Sequence, residues 1–347
     1  MMKIFKLYLD KNTSTNIHGK IYGMDYEIEE EDYYLKVFLD IYNKRIRVLD
    51  YEGPDIGGMV TRLDYLAEKN KFGKVYLKAK SYDWEKFLSE GYILEGIFKY
   101  YYKGNNAYSM AKFYDQQRRI SYDIEKENKI IKEVTMDNQS LNDIEVTYKG
   151  EAPTGYVLRY ANYDDLEKIA KLYDRVFETY PIPLNQKLYL ERLMDGKTLF
   201  MVMVKKIINN EVSNPSLGEN NTKEDHDKDD HDKDEQTDEQ ENDALEDKIV
   251  SVASADMHHN NLNAEMTDCA TLPEERGKGH MGYLMKALEK EMIKQNMICL
   301  FSLARANSPG MNLIFHRFNY SYCGRLIKNC NIYGNFENMN LWVKKLQ

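Results

Sequence analysis

Apolar and polar positions follow the same order of elements in two stretches of the chain. In each stretch a strand, a helix, a strand, a second helix and two final strands follow one another, over residues 45–114 and 262–346. Each second helix ends in a Gly-Tyr or Asn-Tyr pair, and the next strand contains a glycine, Gly96 or Gly324. We therefore predict a weak internal repeat, with chance similarity between generic α/β stretches as the alternative.

The chain between the two copies supplies further elements. Residues 125–150 are polar and predict a connector. After it the pattern predicts a strand, two helices and two strands, over 156–160, 163–178, 185–194, 198–206 and 248–258. From residue 155 onward the predicted order is therefore β-α-α-β-β-β-α-β-α-β-β.

Acidic residues are concentrated in one segment. Of the formal net charge of −9, residues 219–247 carry −12, from fifteen Asp or Glu and three Lys, so the rest of the chain is close to neutral. The segment has few apolar residues and cannot bury a core, which predicts a disordered insert over 209–247. A calcium loop is the alternative, but the glycine and terminal glutamate of an EF-hand are missing at their positions.

Composition narrows the classes of function. The chain of 347 residues is 42% hydrophobic and has no run of 18 apolar residues, and its beginning does not resemble a signal peptide. Its four cysteines form no C-x-x-C pair, which predicts reduced thiols, a cytoplasmic protein and no metal site. Without a basic surface we expect no nucleic-acid partner, and we expect no membrane partner.

The richest stretch is Thr267–Met285, where a predicted strand leads through a glycine-bearing loop into an amphipathic helix. This layout directs backbone N–H groups and the positive end of a helix dipole at one point, which favours an anion such as a pyrophosphate. A simple turn is the alternative, because glycine is common in turns. The candidate contacts are Thr271, Leu272, Arg276, Gly277, Lys278, Gly279, His280, Met281 and Gly282.

The loop resembles the acetyl-CoA loop of the GNAT N-acetyltransferases, whose pattern is Gln/Arg-x-x-Gly-x-Gly/Ala. Arg276 and Gly279 match, whereas Met281 stands where the family has Gly or Ala. The resemblance implies acetyl-CoA as co-substrate and an α/β (α+β) fold. We expect the GNAT fold over residues 151–347 and an α/β domain over 1–150 that is a degenerate GNAT-like copy.

Three stretches resemble a narrower group, the β-lysine N-acetyltransferases. They are LNAEMTDCATLPEERGKG, FSLARANSPGMN and NLWVKKL. The resemblance implies transfer of an acetyl group to the ε-amine of β-lysine, giving a compatible solute. Another amine substrate and a non-catalytic acyl-CoA-binding protein remain the alternatives. The sequence leaves the oligomeric state open, with a homodimer among the options.

Amine acetylation requires a base, since a lysine-type ε-ammonium is almost fully protonated at pH 7. Glu265 lies where the family's histone-type members place theirs, and strict alternation puts Glu265, Thr267 and Cys269 on one strand face. Asp268 on the other face is the rival, and a structural salt bridge is the alternative role. The family implies that the strand splays at Thr271 and Leu272, where a backbone N–H can serve the oxyanion.

Other candidates follow from the same resemblance. The position of the family's thiolate-protonating tyrosine is Phe315 here, which leaves Tyr283 or Tyr320 as the donor, or no donor. Asn307 and Asn312 are candidates for the pantetheine arm, with helix capping as the alternative. Arg305 and Arg325 are candidate clamps for the substrate carboxylate, with surface ion pairs as the alternative.

Overall fold

The structure is a computed structural model that describes residues 4–18, 22–137, 148, 152–177, 181–206, 247–332 and 334–346. The predicted disorder of the 209–247 insert concerns residues that, apart from Asp247, lie outside the described part. We refer to residues 1–150 as the N-terminal half and to residues 151–347 as the C-terminal half.

The described residues form fifteen strands. They are β1 (Ile4–Tyr8), β2 (Ser14–His18), β3 (Met24–Glu29), β4 (Tyr34–Asp40), β5 (Arg45–Glu52), β6 (Lys74–Ala79), β7 (Ile93–Tyr102), β8 (Asn105–Phe113), β9 (Tyr156–Tyr160), β10 (Thr198–Lys205), β11 (Lys248–His258), β12 (Asn263–Thr271), β13 (Cys299–Arg305), β14 (Ser321–Ile332) and β15 (Asn335–Lys345). β1 and β2 pair as a separate hairpin.

Eight α-helices accompany these strands in the described ranges. They are α1 (Ile56–Asn70), α2 (Trp84–Ser89), α3 (Gln116–Arg119), α4 (Ile124–Thr135), α5 (Leu166–Val176), α6 (Lys187–Asp195), α7 (His280–Lys294) and α8 (Pro309–Arg317). The mixture of helices and one large sheet confirms the predicted α/β class.

The large sheet repeats its strand order in the two halves. Its thirteen strands run β3-β4-β5-β6-β8-β7-β14-β15-β13-β12-β11-β10-β9. Counted from the outer edge of the sheet toward the junction of the halves, the N-terminal half has the strands β3-β4-β5-β6-β8-β7. The C-terminal half has one additional edge strand, β9, and then β10-β11-β12-β13-β15-β14, which correspond in this order to the six N-terminal strands. In both halves a single parallel pair, β5 with β6 and β12 with β13, interrupts the antiparallel pairing. The two halves thus share one pattern of strand neighbours.

The two halves meet at a glycine pair. The only register pair that joins β7 to β14 in the described chain is Gly96 with Gly324. Around this junction an aromatic core combines strands of both halves, including Phe98 of β7 and Phe301 of β13. The rings of Phe98 and Phe301 meet edge to face at 5.3 Å. The sheet face that carries Phe301 is therefore turned toward the N-terminal half.

The predicted connector over 125–150 is wrong at its start, because α4 occupies Ile124–Thr135. Ile130 and Val134 are buried in the core that also contains α7 and α8 residues. Only a few apolar residues line this helix, and Glu127 is buried on the same side, paired with Arg325 at 3.3 Å. The helix is amphipathic but mostly polar, with Ile130 and Val134 one turn apart on the buried side, so the overall polarity of the stretch concealed it.

Candidate active site

Strand β12 carries the site and leaves its neighbour β13 early. The parallel pairs end at Glu265 with Phe301, and residues 266–271 have no further register partner on β13 in the described chain. The predicted splay at Thr271 and Leu272 therefore begins earlier along the strand. Beyond Glu265 a cleft opens between the two strands, and a substrate can reach the backbone of β12 there.

A β-bulge corrects the predicted faces of β12. The pairing of β11 with β12 shifts between Val252 and Ser254, and Asp268 adopts a positive φ of 51°. Met266 and Cys269 both pack in the core under α7, whereas Ala270 joins the core on the α5 side. The extra residue of a bulge reverses the alternation. Glu265 and Thr267 thus share a face that Cys269 does not, contrary to the prediction.

Glu265 lies in a charged group on the face turned toward the N-terminal half. Asp256 is its register partner on β11. The Lys78 Nζ of β6 lies 5.9 Å from the ring centre of Phe301, which is the partner of Glu265 on β13. The pKa of Glu265 is raised to about 7, mainly by burial, with Lys78 and Arg47 lowering it and Asp256 and Asp268 adding to the rise. A carboxyl with that pKa can exchange a proton near neutral pH.

Asp268 is tied into the protein interior. Its Oδ2 accepts a hydrogen bond from Ser254 Oγ at 3.0 Å, and its backbone oxygen accepts one from Tyr173 at 2.8 Å. It is 5% exposed. We infer that Asp268 mainly stabilises the bulge. Its charge also raises the pKa of Glu265.

At the end of β12, the Leu272 N–H and the Thr271 hydroxyl already have hydrogen-bond partners. The Leu272 N–H donates to Val250 O at 3.0 Å, so it is not a free oxyanion donor. The hydroxyls of Thr271 and Ser251 are 2.6 Å apart. Both residues form the wall of the cleft, and backbone N–H groups nearer the bulge are the better candidates for the oxyanion.

The loop before α7 has the geometry of an anion site. Gly277 and Gly279 have φ values of 80° and 79°, which L side chains rarely adopt. A Cβ at Gly277 would meet no heavy atom within 4 Å, so the loop borders open space. Arg276 is exposed and donates from Nε to Thr271 O at 3.3 Å. No side chain of the described residues caps the start of α7, so its remaining N–H groups and the nearby guanidinium can hold a pyrophosphate.

Lys278 is exposed but ion-paired within the loop, whereas His280 is buried. The Lys278 Nζ lies 2.6 Å from Glu275 Oε2, and Lys205 binds the other oxygen at 3.0 Å. His280 is 2% exposed, with its ring centre 4.5 Å from that of Tyr156. Burial raises the pKa of the Glu275 carboxylate, but its hydrogen bonds outweigh burial and lower the pKa to about 2. The ionised carboxylate stabilises the loop. The lysine charge predicted for the cofactor is thus largely neutralised.

The departure from the family pattern at Met281 has a packing explanation. Met281 is 8% exposed in the core under α7. At Gly282 a Cβ would lie 2.1 Å from the Tyr148 ring. The small residue therefore stands one place later than in the pattern, at the position where an aromatic ring rests on the first turn of the helix.

The two asparagines beyond β13 differ. Asn312 is fully buried, donating to Arg305 O and Ser308 O and accepting from Asn340 and Trp342 at 2.7–3.0 Å. We leave Asn312 out of the proposed pantetheine contacts, because its amide is already used. Asn307 Oδ1 is buried and has no hydrogen-bond partner among the described residues. It is an acceptor suited to an amide N–H of the pantetheine arm.

The structure supplies no tyrosine at the position of Phe315. Phe315 is 1% exposed and packs against Tyr320, with ring centres 5.2 Å apart. The pKa of the buried Tyr320 is raised by burial and by Glu289, in the third turn of α7, which makes it a poor proton donor. Tyr283 lies in the first turn of α7, with its ring 4.9 Å from that of Tyr148.

Neither predicted carboxylate clamp is open. Arg305 binds Glu337 through two hydrogen bonds of 2.6 and 2.7 Å. Arg325 is 8% exposed and binds Asn340, Asn128 and Glu127. The clamp prediction is therefore corrected: a substrate carboxylate would have to displace an existing carboxylate or enter a buried network.

The site contains residues that the sequence did not single out, namely Asp256, Lys78, Arg47 and Tyr189. Asp256 could have been found from the hairpin between β11 and β12, because it is the residue opposite Glu265. The others come from distant parts of the chain. Burial and Asp268 raise the pKa of Tyr189 on α6 to about 12. Arg47 lowers this pKa and Asp256 raises it, which places Tyr189 in the same charged group.

The start of helix α1 in the N-terminal half is capped by the chain itself. At the start of α1, which is the counterpart of α7, the Asp55 side chain caps the helix by accepting from Gly58 N at 2.8 Å. A carboxylate thus already binds one N–H at this helix start and places a negative charge where a pyrophosphate would have to bind. We expect one acetyl-CoA site for each chain.

Replacing Gly279 with Asp should abolish acetyl-CoA binding at micromolar concentrations. The new side chain must adopt a φ of 79° and places a negative charge beside the start of α7. Calorimetric titration should show one site in the wild type and none in this variant. Gly104→Asp is the control for backbone strain, since Gly104 has a φ of 95° and open surroundings. Equal affinity in the Gly279 variant would exclude this loop as the binding site.

Comparison with known proteins gives related enzymes over most of the chain. A β-lysine N(6)-acetyltransferase of Methanosarcina mazei is 33% identical over 298 residues, covering 82% of this chain and 95% of that protein. The N-acetyltransferase YodP of Bacillus subtilis is 31% identical and covers 88% and 94%. A β-lysine N(6)-acetyltransferase of Methanococcus maripaludis is 30% identical and covers 87% and 93%. The similarity extends over both halves.

A family model described as the acetyltransferase (GNAT) family matches residues 210–318. Among solved structures, an N-acetyltransferase from Staphylococcus aureus Mu50 is 14% identical, with a TM-score of 0.40, and covers 56% of this chain and 100% of its own. The family match includes strands β11–β13 and helices α7 and α8, which form the cleft and the glycine loop.

Proposed function

Because the chain belongs to the GNAT family of acetyl-CoA-dependent N-acetyltransferases, we propose that it acetylates the ε-amine of β-lysine to give N6-acetyl-β-lysine. Two of the relatives named above are β-lysine N(6)-acetyltransferases, which supports this substrate. The product would serve as a compatible solute in the cytoplasm. The substrate is a small amine with two ammonium groups and one carboxylate.

The observation that carries the proposal is the pair of carboxylates on one face of the sheet, together with the nearby Asp268. Glu265 and Asp256 are register partners, and Asp268 acts on the pKa of Glu265. A substrate with two ammonium groups fits such a group better than a neutral or anionic substrate does. The charge of a bound ammonium would be balanced, and its proton has an acceptor beside it.

Glu265 has the properties of the general base. Its pKa of about 7 leaves a substantial fraction ionised at neutral pH, and the half-buried carboxylate retains affinity for a proton. In the proposed reaction the ammonium transfers a proton to Glu265, and the amine nitrogen forms a bond to the acetyl carbon. As the bond between that carbon and sulfur breaks, the nitrogen loses its second proton to water or to the leaving thiolate, so that a neutral amide and CoA remain.

The described residues fit acetyl-CoA along the cleft. The start of α7 and Arg276 would hold the pyrophosphate, and Asn307 Oδ1 would accept from the pantetheine arm. This route directs the thioester to the gap between β12 and β13. When bound, acetyl-CoA supplies the activated acetyl group, and the protein supplies the binding, the orientation and the proton acceptor.

An amine screen tests the proposal. β-Lysine, lysine and a lysine-containing peptide should be compared at equal concentration with acetyl-CoA, and the product identified by mass spectrometry. We expect the highest kcat/KM for β-lysine and a mass shift on the ε-nitrogen. A preference for the peptide would replace this proposal by protein acetylation, and binding without turnover on any amine would favour an acyl-CoA sensor.

A further inference from the structure

The internal repeat places Arg47 opposite the proposed base. In the N-terminal half the parallel pairs of β5 and β6 are Arg45 with Lys74, Ile46 with Val75 and Arg47 with Tyr76. The C-terminal half has Asn263 with Cys299, Ala264 with Leu300 and Glu265 with Phe301. Both sets hold three pairs before the strands diverge. Arg47 is therefore the structural counterpart of Glu265.

The two positions face each other because the sheet turns the same face of each half inward. Tyr76, the partner of Arg47, lies in the aromatic core together with Phe301, the partner of Glu265. Lys78, two residues after Tyr76 on the same strand face, reaches the rings of Phe98, Tyr101 and Phe301. The charge of Arg47 lowers the pKa of Glu265, as expected for groups that share one chamber.

Arg47 has unused hydrogen-bonding capacity. Its Nε is buried and has no hydrogen-bond partner among the described residues, while its side chain is 35% exposed. The Asp40 oxygen nearest to Nε is 3.9 Å away and is already bound by Arg45 at 2.8 Å. The guanidinium rests on the Phe38 ring, 4.8 Å from its centre. The Phe38 ring supports the Arg47 guanidinium, and Asp40 is too far away to accept a hydrogen bond from it. Such a guanidinium can bind the carboxylate of a ligand.

We propose that the N-terminal half completes the amine site, and that Arg47 binds the carboxylate of the amino-acid substrate. This inference rests on the proposed function and assigns the specificity for a carboxylate to the N-terminal half. Glu265 receives the amine end, and Arg47 receives the acid end. The substrate is thus held between equivalent positions of the two halves.

The charges of the chamber agree with this arrangement. Asp256 lies beside Glu265 and can accompany the second ammonium of a diamino acid. A carboxylate on the same substrate needs a separate cation, because the acidic group would repel it. The exposed part of Arg47 offers that cation, whereas Arg305 and Arg325 are already bound to internal carboxylates.

The test compares β-lysine with 1,4-diaminopentane, the same diamine without the carboxylate. In Arg47→Gln, kcat/KM for β-lysine should fall about 10- to 100-fold, mainly through KM, because one charged hydrogen-bonding partner is lost. Turnover of 1,4-diaminopentane should remain within about threefold, which also shows that the variant is folded. Arg47→Lys should recover part of the loss, because it restores the charge without the paired donors.

Arg119→Gln is the matched control, since it removes an exposed arginine of the same half. It should leave both substrates unchanged. An equal fall for both substrates in Arg47→Gln, or no fall for β-lysine, would overturn the role of Arg47 while leaving the reaction in place. A wild-type enzyme that acetylates neither β-lysine nor lysine would instead contradict the proposed function, because that result does not depend on Arg47.

Discussion

Replacing Glu265 with Gln should lower kcat by about 100- to 10,000-fold, the usual contribution of a general base. The amide keeps the shape of the side chain but cannot accept the ammonium proton at neutral pH. The proposed acetyl-CoA site is the glycine loop, so the affinity for acetyl-CoA should stay within about twofold. Steady-state kinetics with β-lysine and calorimetric titration of acetyl-CoA measure the two effects separately.

The pH dependence of the wild type gives a second measure of the same group. Because Glu265 must be ionised to act, kcat/KM should rise with pH and level off above the pKa of about 7. The charged groups that set this value are Lys78, Arg47, Asp256 and Asp268. In Glu265→Gln the residual activity should lose this inflection.

Stability should show the opposite trend. Folding raises the pKa of Glu265 from 4.5 to about 7. Between these two pH values the folded state therefore holds a proton that the unfolded chain has released. Its contribution to stability is complete below about pH 4.5 and is lost as pH rises through about 7. Denaturant titrations should therefore find that Glu265→Gln gains stability relative to wild type as the pH rises from 4.5 to 8.

Asp268→Asn separates the two candidate bases. Asp268 supports the bulge through Ser254, so this change should reduce stability and lower turnover less than Glu265→Gln does. A larger loss of kcat in Asp268→Asn, with the pH inflection kept in Glu265→Gln, would make Asp268 the base.

Gly324→Ala should destabilise the protein by roughly 3–5 kcal/mol, the range expected when backbone strain and a steric clash combine. Gly324 has a φ of 140°, and a Cβ there would lie 2.4 Å from both Glu95 O and Gly96 Cα. These are backbone atoms of β7 and cannot move aside without separating the two halves. Urea unfolding, monitored by tryptophan fluorescence, gives the change in free energy.

Gly310→Ala is the matched control for this substitution. Gly310 lies in α8, and a Cβ at that position meets nothing within 4 Å. Its free energy of unfolding should be unchanged or slightly increased, because alanine favours a helix. An equally small effect of Gly324→Ala would show that the halves do not depend on close backbone contact at this junction.

The sequence alone predicted the order of elements well, because hydrophobic periodicity is a local property of the chain. The glycine loop before α7 came from residues that are close together in sequence, the repeat came from comparing two such stretches, and the choice of Glu265 came from the family resemblance. It failed for α4, where the overall polarity of the stretch concealed the helix. The alternation along β12 also failed, because a bulge depends on pairing with β11.

The environment of Glu265 could be decided only by the tertiary structure. Arg305 and Arg325 had the right chemistry, but their partners Glu337 and Glu127 lie 32 and 198 positions away in the sequence. The sequence did not indicate a role for Arg47, which is one cation on a short strand. Its place opposite Glu265 depends on how the two halves are joined. The sequence determined which groups exist and which strand carries each. Packing of the halves determined which charges remain unpaired, because pairing depends on distances that only the folded chain sets.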